Sequence, residues 1–308
     1  MAAYDATDFL PRILEKLANH FGGNVIGATL VVLASIGMAA MMVAVRDLSA
    51  TYSVWQLLLI RSFGQLVILI PLIIRTRGDA LKSERLDLQV LRVVLSFGAI
   101  TCAFYAIAHL PLAEASAIGF ARVTFVVALA SIIFAERVGM IGWSATFMGL
   151  VGITVILDPT ADVLNDAALL AAVGALGTAC VIIIIKKLTM SDSTTTIMCY
   201  ATLGLTLLCL PPSVLTWQAI TWTSAPLFTI LVLSGLLSSW CYTNAYRHGE
   251  ASIMGTVEYT LLIAAAGVGF IVFHEVPTMG SLAGMALIIA ASFIAVWRDP
   301  IRAWITSR

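Results

Sequence analysis

Long runs of apolar residues alternate with short polar segments along almost the whole chain. Each run is about 20 residues long, the length that an α-helix needs to cross a hydrocarbon core of about 30 Å. The short polar segments predict tight connections, so successive helices should be antiparallel neighbours. The pattern predicts ten transmembrane helices, near residues 24–45, 52–73, 89–108, 112–134, 139–157, 167–188, 194–215, 225–247, 251–273 and 277–297.

The two ends of the chain lie outside these runs. In segment 1–23, apolar residues such as Phe9, Ile13 and Leu17 recur at helical spacing beside charged residues. This periodicity predicts an amphipathic helix on the cytoplasmic membrane surface. The segment lacks the basic start and small-residue cleavage site of a secretory signal. Residues 298–308 are predicted to form a cytoplasmic tail.

The composition supports an integral membrane protein. Of the 308 residues, 60% are hydrophobic and only 11% are charged, and the mean hydropathy is +1.01. Soluble domains carry about 25% charged residues, so this chain has too few to cover a water-facing surface. The partner that the composition predicts is the lipid bilayer, and zero net charge without a basic tract argues against nucleic acid. No cofactor or nucleotide motif is present, and the five cysteines lack metal or disulfide spacing.

The basic residues predict the orientation. With both termini in the cytoplasm, only Arg46 falls in a loop on the far side, and Arg61 and Arg122 fall within the membrane. The other Lys and Arg residues lie on the cytoplasmic side, as the positive-inside rule requires. They are Arg12, Lys16, Arg75, Arg77, Lys82, Arg85, Arg92, Arg137, Lys186, Lys187, Arg247, Arg298, Arg302 and Arg308.

Two segments of the chain are copies of one another. AFYAIAHLPLAEASAIGFARVTF begins at Ala103, and SWCYTNAYRHGEASIMGTVEYTL begins at Ser239. An offset of 136 residues aligns the EAS tripeptides of the two copies and places Arg122 on Glu258. The sequence therefore predicts an internal duplication with charges at matched positions.

The duplication predicts a specific topology. The halves 24–157 and 167–297 each hold five predicted helices, so the second half enters the membrane from the opposite side. Two inverted repeats related by a pseudo-two-fold axis in the membrane plane are typical of alternating-access transporters. Glu136 and Glu275 mark matched helix ends, where helix capping or loop anchoring is the preferred interpretation.

The most distinctive segments are FYAIAHLPLAEASAIGFARVTFV, FAERVG, and VEYTLLIAAAGVGFIVFHEVPT followed by GSLAGMALIIAASFIAVWRD. In them, and over nearly all of 24–300, the chain resembles the EamA-type transporters of the drug/metabolite transporter superfamily. The resemblance implies ten helices in two inverted five-helix repeats that move a small organic solute across a bacterial inner membrane. Many members have proline near the middle of helices 4 and 9. This chain has Arg122-Val123 and Leu261-Leu262 there, so those helices are expected to be less bent.

Three charged residues fall near the middle of the predicted membrane. At 1.5 Å per residue, Arg61 and Arg122 lie about 14 Å from the outer boundary and Glu258 about 10 Å from the inner one. Together they would cost about 8–10 kcal/mol in lipid, so they should face the bundle interior. They are predicted to line a substrate cavity; the competing interpretation is a structural Arg122–Glu258 ion pair, and a pair that opens for substrate would be both.

The charge balance of these residues bears on the substrate. Two arginines and one glutamate leave one positive charge, which favours an amino-acid-like zwitterion or an organic anion. Nucleoside-like compounds, vitamins and drugs are the alternatives. Glu258 is also a candidate for proton coupling, because a low dielectric raises a carboxyl pKa while a neighbouring Arg122 lowers it. The sequence leaves proton coupling and facilitated exchange open.

Polar and aromatic residues on neighbouring helices are further candidates for the cavity wall. Such a wall can stack on a planar ligand, although membrane Tyr and Trp more often pack or anchor at the interface. The candidates are Gln56, Tyr105, Trp240, Tyr242, Asn244 and Tyr259.

Two other sequence patterns bear on helix contacts and on a possible metal site. Ala145-x3-Gly149 and Gly280-x3-Gly284 are small-residue motifs that favour close helix contact, within one molecule or in a homodimer, so the chain is expected to be a monomer or a homodimer. A membrane enzyme is the remote alternative, with a zinc site built from His109, Glu114, His274 and Glu275. These residues lack helical His-x3-His spacing, so no metal is expected.

Overall fold

A computed structural model describes residues 22–75, 78, 81–109, 118–157, 166–273 and 279–297, and these contain helices and no strand. A helical turn at 118–120 precedes the fourth helix, and a 3₁₀ turn, Trp222–Ser224, precedes the eighth. The helices are α1 (Gly23–Ser49), α2 (Val54–Arg75), α3 (Leu86–His109), α4 (Arg122–Ile133), α5 (Gly139–Leu157), α6 (Asp166–Leu188), α7 (Thr194–Leu215), α8 (Ala225–His248), α9a (Ala251–Val257), α9b (Thr260–Phe273) and α10 (Met279–Val296).

The helices have the lengths and surfaces of membrane spans. Within the described residues, α1, α2, α3, α6, α7 and α8 are long and apolar enough to cross a membrane, and shorter apolar helices make up the rest. Large apolar side chains such as Phe63, Ile132 and Phe293 are exposed on the outer surface, as lipid contact requires. The predicted all-α membrane fold of ten helices is confirmed. Residues 1–21 of the predicted amphipathic segment and the tail 298–308 lie outside the described residues.

The packing of the helices shows the internal symmetry. The most extensive contacts join α1 to α8, α5 to α10 and α3 to α6, and the first and last of these pairs are exchanged when the halves are exchanged. Contacts of α2 with α7 and of α5 with α10 each map onto themselves, and α1–α9b corresponds to α6–α4. A contact pattern that equals its own image is what two repeats related by a pseudo-two-fold axis produce.

The main buried core lies where α1, α4, α6, α8 and α9a meet. Val31, Val126, Ala179, Ala245 and Met254, one from each helix, all belong to this cluster and are buried. Six buried residues of this cluster are alanines, which lets the helix backbones approach closely where they lie. The core therefore brings the start of the second repeat's α9 against α4 of the first repeat.

Polar contacts hold the ends of these helices on one face. Glu136, just beyond α4, accepts hydrogen bonds from the backbone N–H groups of Ala251 (2.8 Å) and Ser252 (2.9 Å) at the start of α9a. The capping interpretation of Glu136 is thus confirmed. The N–H of Glu250 donates to the Asn24 side chain at the start of α1 (2.9 Å). The end of α4 and the starts of α1 and α9a therefore share one side, as the inverted topology requires.

The small-residue motifs serve contacts within the molecule. A Cβ atom added to Gly152 of α5 would lie 2.8 Å from the carbonyl oxygen of Gly284 in α10. A Cβ atom added to Gly149 would overlap the ring of Tyr259. The internal contact between α5 and α10 is therefore present in the structure, and Gly149 instead makes room for a side chain at the break in α9.

Candidate substrate site

The ninth span is interrupted at Glu258 and Tyr259. At this point the N–H of Leu261 bonds to the Glu258 carbonyl (3.0 Å) and the N–H of Leu262 to the Tyr259 carbonyl (3.1 Å). These i→i−3 bonds form a 3₁₀-like turn between α9a and α9b. The interruption presents the Glu258 side chain inside the bundle, beside the equivalent helix of the first repeat.

The first repeat is interrupted at the matching place. Ala121 separates the helical turn at 118–120 from α4, and its N–H bonds to the Ile118 carbonyl (3.0 Å). Neither interruption contains proline. The absence of proline predicts less bent helices, but the structure interrupts both helices without it. Broken helices at equivalent positions in two repeats are the usual framework of a transporter binding site.

Arg122 and Glu258 form an ion pair across the two broken helices. The Nε atom of Arg122 lies 3.4 Å from Oε2 of Glu258, and the side chains are 18% and 6% exposed. The hydrogen bonds of Arg122 to described residues use Nε and Nη1, the latter to the carbonyl oxygen of Gly119 (3.3 Å). The pair thus balances two charges that the low-dielectric interior would not accept singly.

Two tyrosines of α8 complete the surroundings of the carboxylate. Tyr242 and Tyr246 are four residues apart, so they lie on one face of α8. Both phenol O–H groups donate to Oε1 of Glu258, with an oxygen–oxygen distance of 2.5 Å for Tyr246. The two rings are 5.0 Å apart between centroids. The carboxylate therefore has a cationic partner on one oxygen and two neutral donors on the other.

Aromatic rings enclose the pair from the α4 side. The guanidinium carbon of Arg122 lies 4.6 Å from the ring centroid of Phe120, a cation–π contact. The ring of Tyr259 is 6.3 Å from that of Phe120, and the Tyr259 hydroxyl donates to the Thr146 carbonyl (3.4 Å). Tyr259 is fully buried and its ring packs against Gly149 of α5, next to the turn that holds Glu258.

The structure brings together four of the predicted site residues: Arg122, Tyr242, Glu258 and Tyr259. Arg61 does not join them. It lines a separate cavity with Arg92, and its Nε atom has no hydrogen-bond partner among the described residues. The predicted trio of charges is therefore a pair plus a third residue in another place.

The remaining candidates have other surroundings. Gln56 is fully buried, and its amide donates to the Gln218 carbonyl (2.7 Å) and accepts from the Gln218 N–H (3.0 Å). Asn244 donates to the Trp240 carbonyl (2.9 Å) and accepts from a threonine at the start of α7 (3.2 Å). Trp240 packs against the buried core. The side chain of Tyr105 lies outside the described residues. Gln56 and Asn244 thus tie helices and loops together.

Tyr246 and Arg92 are absent from the predicted cavity residues, although Tyr246 donates to Glu258 and Arg92 lines the cavity with Arg61. The signal for Tyr246 was its spacing of four residues from Tyr242, which puts both on one helix face. The signal for Arg92 was its position six residues after the start of α3, about 9 Å into the helix. Both signals depend on helix bounds that the apolar pattern does not define sharply.

The described residues contain no cluster of three or more His, Cys, Asp or Glu side chains able to hold a metal ion. The four zinc ligands that a membrane enzyme would need are not among these side chains. Glu114, His274 and Glu275 are outside the described residues, as is the side chain of His109.

The sequence profile of the EamA-like transporter family matches residues 25–158 and 166–297. The chain belongs to this family. It is therefore a multi-pass membrane transporter and not an enzyme. The family profile matches twice, once in each half of the chain, in agreement with the contact symmetry of the helices.

Characterised relatives carry small metabolites. The chain is 30% identical over 274 residues to the pseudopaline exporter CntI of Pseudomonas aeruginosa, covering 86% of this chain and 94% of the relative. It is 26% identical over 239 residues to an S-adenosylmethionine uptake transporter of Rickettsia bellii, covering 78% and 82%. It is 29% identical over 243 residues to a riboflavin transporter of Vibrio cholerae, covering 75% and 79%. The EamA-like chain is thus a transporter of a small metabolite.

A solved crystal structure has the same fold. It superimposes with a TM-score of 0.75 over 87% of this chain and 96% of the other, at 16% sequence identity. The similarity supports the helix arrangement of the EamA-like chain at a level where sequence identity is low.

Proposed function

We propose that this EamA-like protein carries a metabolite with an amino-acid-like zwitterionic or anionic group across a bacterial inner membrane, with both termini in the cytoplasm. The observation that supports the proposal is the Arg122–Glu258 pair at the two broken helices. Arg122 keeps its Nη2 nitrogen for a ligand, since its hydrogen bonds to described residues use Nε and Nη1. A substrate carboxylate can therefore reach the guanidinium, and a substrate ammonium can pair with Glu258.

The pair also suggests how binding couples to movement. Arg122 belongs to the first repeat and Glu258 to the second, so the salt bridge holds the repeats together across the pseudo-axis. A zwitterion that pairs with both side chains would replace their direct contact at little electrostatic cost. Rocking of one repeat against the other would then open the site to each face in turn.

A planar solute is the second candidate. Phe120, Tyr242, Tyr246 and Tyr259 surround the pair with aromatic rings, which can stack on a flat ligand. Relatives named for riboflavin and S-adenosylmethionine transport make such ligands reasonable members of a screen. The zwitterionic metabolite and the planar solute differ as candidates in whether an amino acid group alone is sufficient for binding.

The test is a thermal-shift screen of the purified protein against amino acids, organic anions, nucleosides, vitamins and organic cations. A ligand that binds the folded state raises the melting temperature by mass action. A hit should be lost in Arg122→Ala and in Glu258→Gln, and the same variants should lose flux in proteoliposomes. The matched controls are Arg85→Ala and Asp87→Asn, which break an exposed ion pair of 3.0 Å outside the site.

Two results would contradict the proposal. One is a transported hit whose binding and flux survive both site variants. The other is a screen in which only simple cations bind and are transported. Repeating the flux assay with a proton gradient imposed in either direction tests Glu258 as the coupling group, because a Glu258→Gln variant cannot exchange a proton.

A further inference from the structure

A cavity lies between α2, α3, α7 and α8, and none of its lining residues belongs to the Arg122–Glu258 site. Its volume is about 110 Å³. None of the lining residues is acidic, although two are arginines. The polar lining residues are Arg61, Ser62, Gln65, Arg92, Thr202 and Ser239.

Three buried donors in this cavity have no acceptor. Among the described residues, Nε of Arg61, Nε2 of Gln65 and Nε of Arg92 are inaccessible to solvent and make no hydrogen bond. Gln65 is only 3% exposed. A buried donor without an acceptor is costly, and a buried cation without a counter-charge is more so. The cavity lining contains no acidic side chain, so the charges of Arg61 and Arg92 have no counter-charge among the lining residues.

The other polar groups of the cavity do not provide that acceptor charge. The Ser62 hydroxyl donates to the Leu58 carbonyl (2.8 Å), and the Thr202 hydroxyl donates to the Met198 carbonyl (2.9 Å). Both are neutral and donate within their own helices, and the Ser62 oxygen also accepts from the Thr206 hydroxyl of α7 (3.0 Å). The Arg92 guanidinium is held in place by a bond from Nη1 to a backbone carbonyl of α7 (2.9 Å).

Two of these donors, those of Arg61 and Gln65, lie against Gly235 of α8. A Cβ atom added to Gly235 would lie 2.6 Å from Nε2 of Gln65 and 2.9 Å from Nε of Arg61. Any side chain at this position would press on both groups. Glycine thus lets the side chains of Arg61 and Gln65 pack closely against α8.

We propose that this cavity binds a small oxyanion, a carboxylate or phosphate group, through the guanidinium groups of Arg61 and Arg92. The planar guanidinium fork matches the geometry of an oxyanion, and the bound charge would neutralise the arginines. The group can belong to a free anion or to the head of an anionic lipid. The proposal does not depend on the substrate of the Arg122–Glu258 site.

The test uses the full-length protein in nanodiscs of phosphatidylcholine, titrated at constant ionic strength with inorganic phosphate and with acetate. One of these anions should raise the melting temperature to saturation. In Arg61→Gln and in Arg92→Gln the apparent Kd should rise about tenfold or more, because a charge-assisted hydrogen bond is lost. The control is Arg85→Gln, which removes an exposed arginine outside the cavity and should leave the Kd unchanged.

Further arms separate the sources and protect against misfolding. A second set of nanodiscs with phosphatidylglycerol and no added anion tests the lipid source; stabilisation there alone would identify a lipid phosphate as the occupant. Gly235→Ala keeps both arginine charges but displaces the Arg61 and Gln65 side chains, so it should weaken binding even if an arginine variant fails to fold. Glu258→Gln should retain the anion response, which distinguishes this site from the substrate site.

The proposal is overturned if neither free anions nor anionic lipid stabilise the protein. It is equally overturned if both Arg61→Gln and Arg92→Gln retain the stabilisation, whether or not Glu258→Gln loses it.

Discussion

The Arg122–Glu258 pair makes a quantitative prediction about stability. At the observed distance of 3.4 Å, the attraction between two unit charges is about 5 kcal/mol for an effective dielectric of about 20. Desolvation of both groups offsets much of it, so the net value of the pair is small. Loss of one partner is different, because the other charge stays buried without compensation, and such losses cost about 3–5 kcal/mol.

The surroundings of each side chain place this pair at the low end of that range. Arg122 retains 18% exposure of its side chain, and Glu258 keeps the phenol donors of Tyr242 and Tyr246 when the arginine is removed. We therefore expect Arg122→Gln and Glu258→Gln each to lower the free energy of unfolding by about 3 kcal/mol. In the double variant no charge remains unpaired, so its loss should be smaller than either single loss, a coupling energy of about 3 kcal/mol or more.

The assay is equilibrium unfolding in mixed micelles of a mild detergent and sodium dodecyl sulfate, followed by tryptophan fluorescence for all four proteins of the cycle. Arg85→Gln, Asp87→Asn and their double variant form a matched cycle on an exposed pair, whose coupling should be below about 1 kcal/mol. The reasoning would be refuted by losses at the buried pair that add to within about 0.5 kcal/mol, because independent sites behave in that way.

Three further variants, with Gly267→Ala as a control for one of them, test the supports of the site in the same unfolding assay. Tyr246→Phe removes a buried donor to Glu258 and should cost about 1.5–3 kcal/mol, the value of a hydrogen bond to a charged group. Gly149→Ala forces a methyl group against a buried tyrosine ring and should cost about 1–3 kcal/mol, whereas Gly267→Ala has open space and should gain about 0.5–1 kcal/mol. Glu136→Gln weakens the cap on α9a and should cost about 1 kcal/mol.

Each of these expectations can fail on its own terms. Equal stability of the wild-type protein and Tyr246→Phe would mean that the phenol is not a net donor to the carboxylate. Equal effects of the two glycine substitutions would show that helix propensity, and not crowding at the α9 break, decides the outcome. A Glu136→Gln variant as stable as wild type would remove the capping bond from the account of how α9a starts.

The sequence alone was sufficient for the architecture of this protein. Hydropathy and helix length are local properties, so ten apolar runs predicted the ten-helix membrane fold that the structure and the family confirm. The duplication placed Arg122 on Glu258, and a pseudo-two-fold axis brings equivalent positions of α4 and α9 together. The repeat therefore made an Arg122–Glu258 ion pair one of the interpretations of the sequence, and the structure contains this pair.

The composition of the candidate site was only partly accessible. Gln56, Asn244 and Tyr242 are all residues with polar groups within apolar segments of the sequence. The side chains of Gln56 and Asn244 nevertheless form hydrogen bonds with a loop and with a helix end. Arg61 has the same predicted depth as Arg122 but lines another cavity, together with Arg92. The tertiary structure decided these assignments because a side chain's direction depends on how its helix is rotated and tilted against its neighbours. Those variables are set by packing across the whole bundle, whereas hydropathy and repeat spacing are carried by the chain itself.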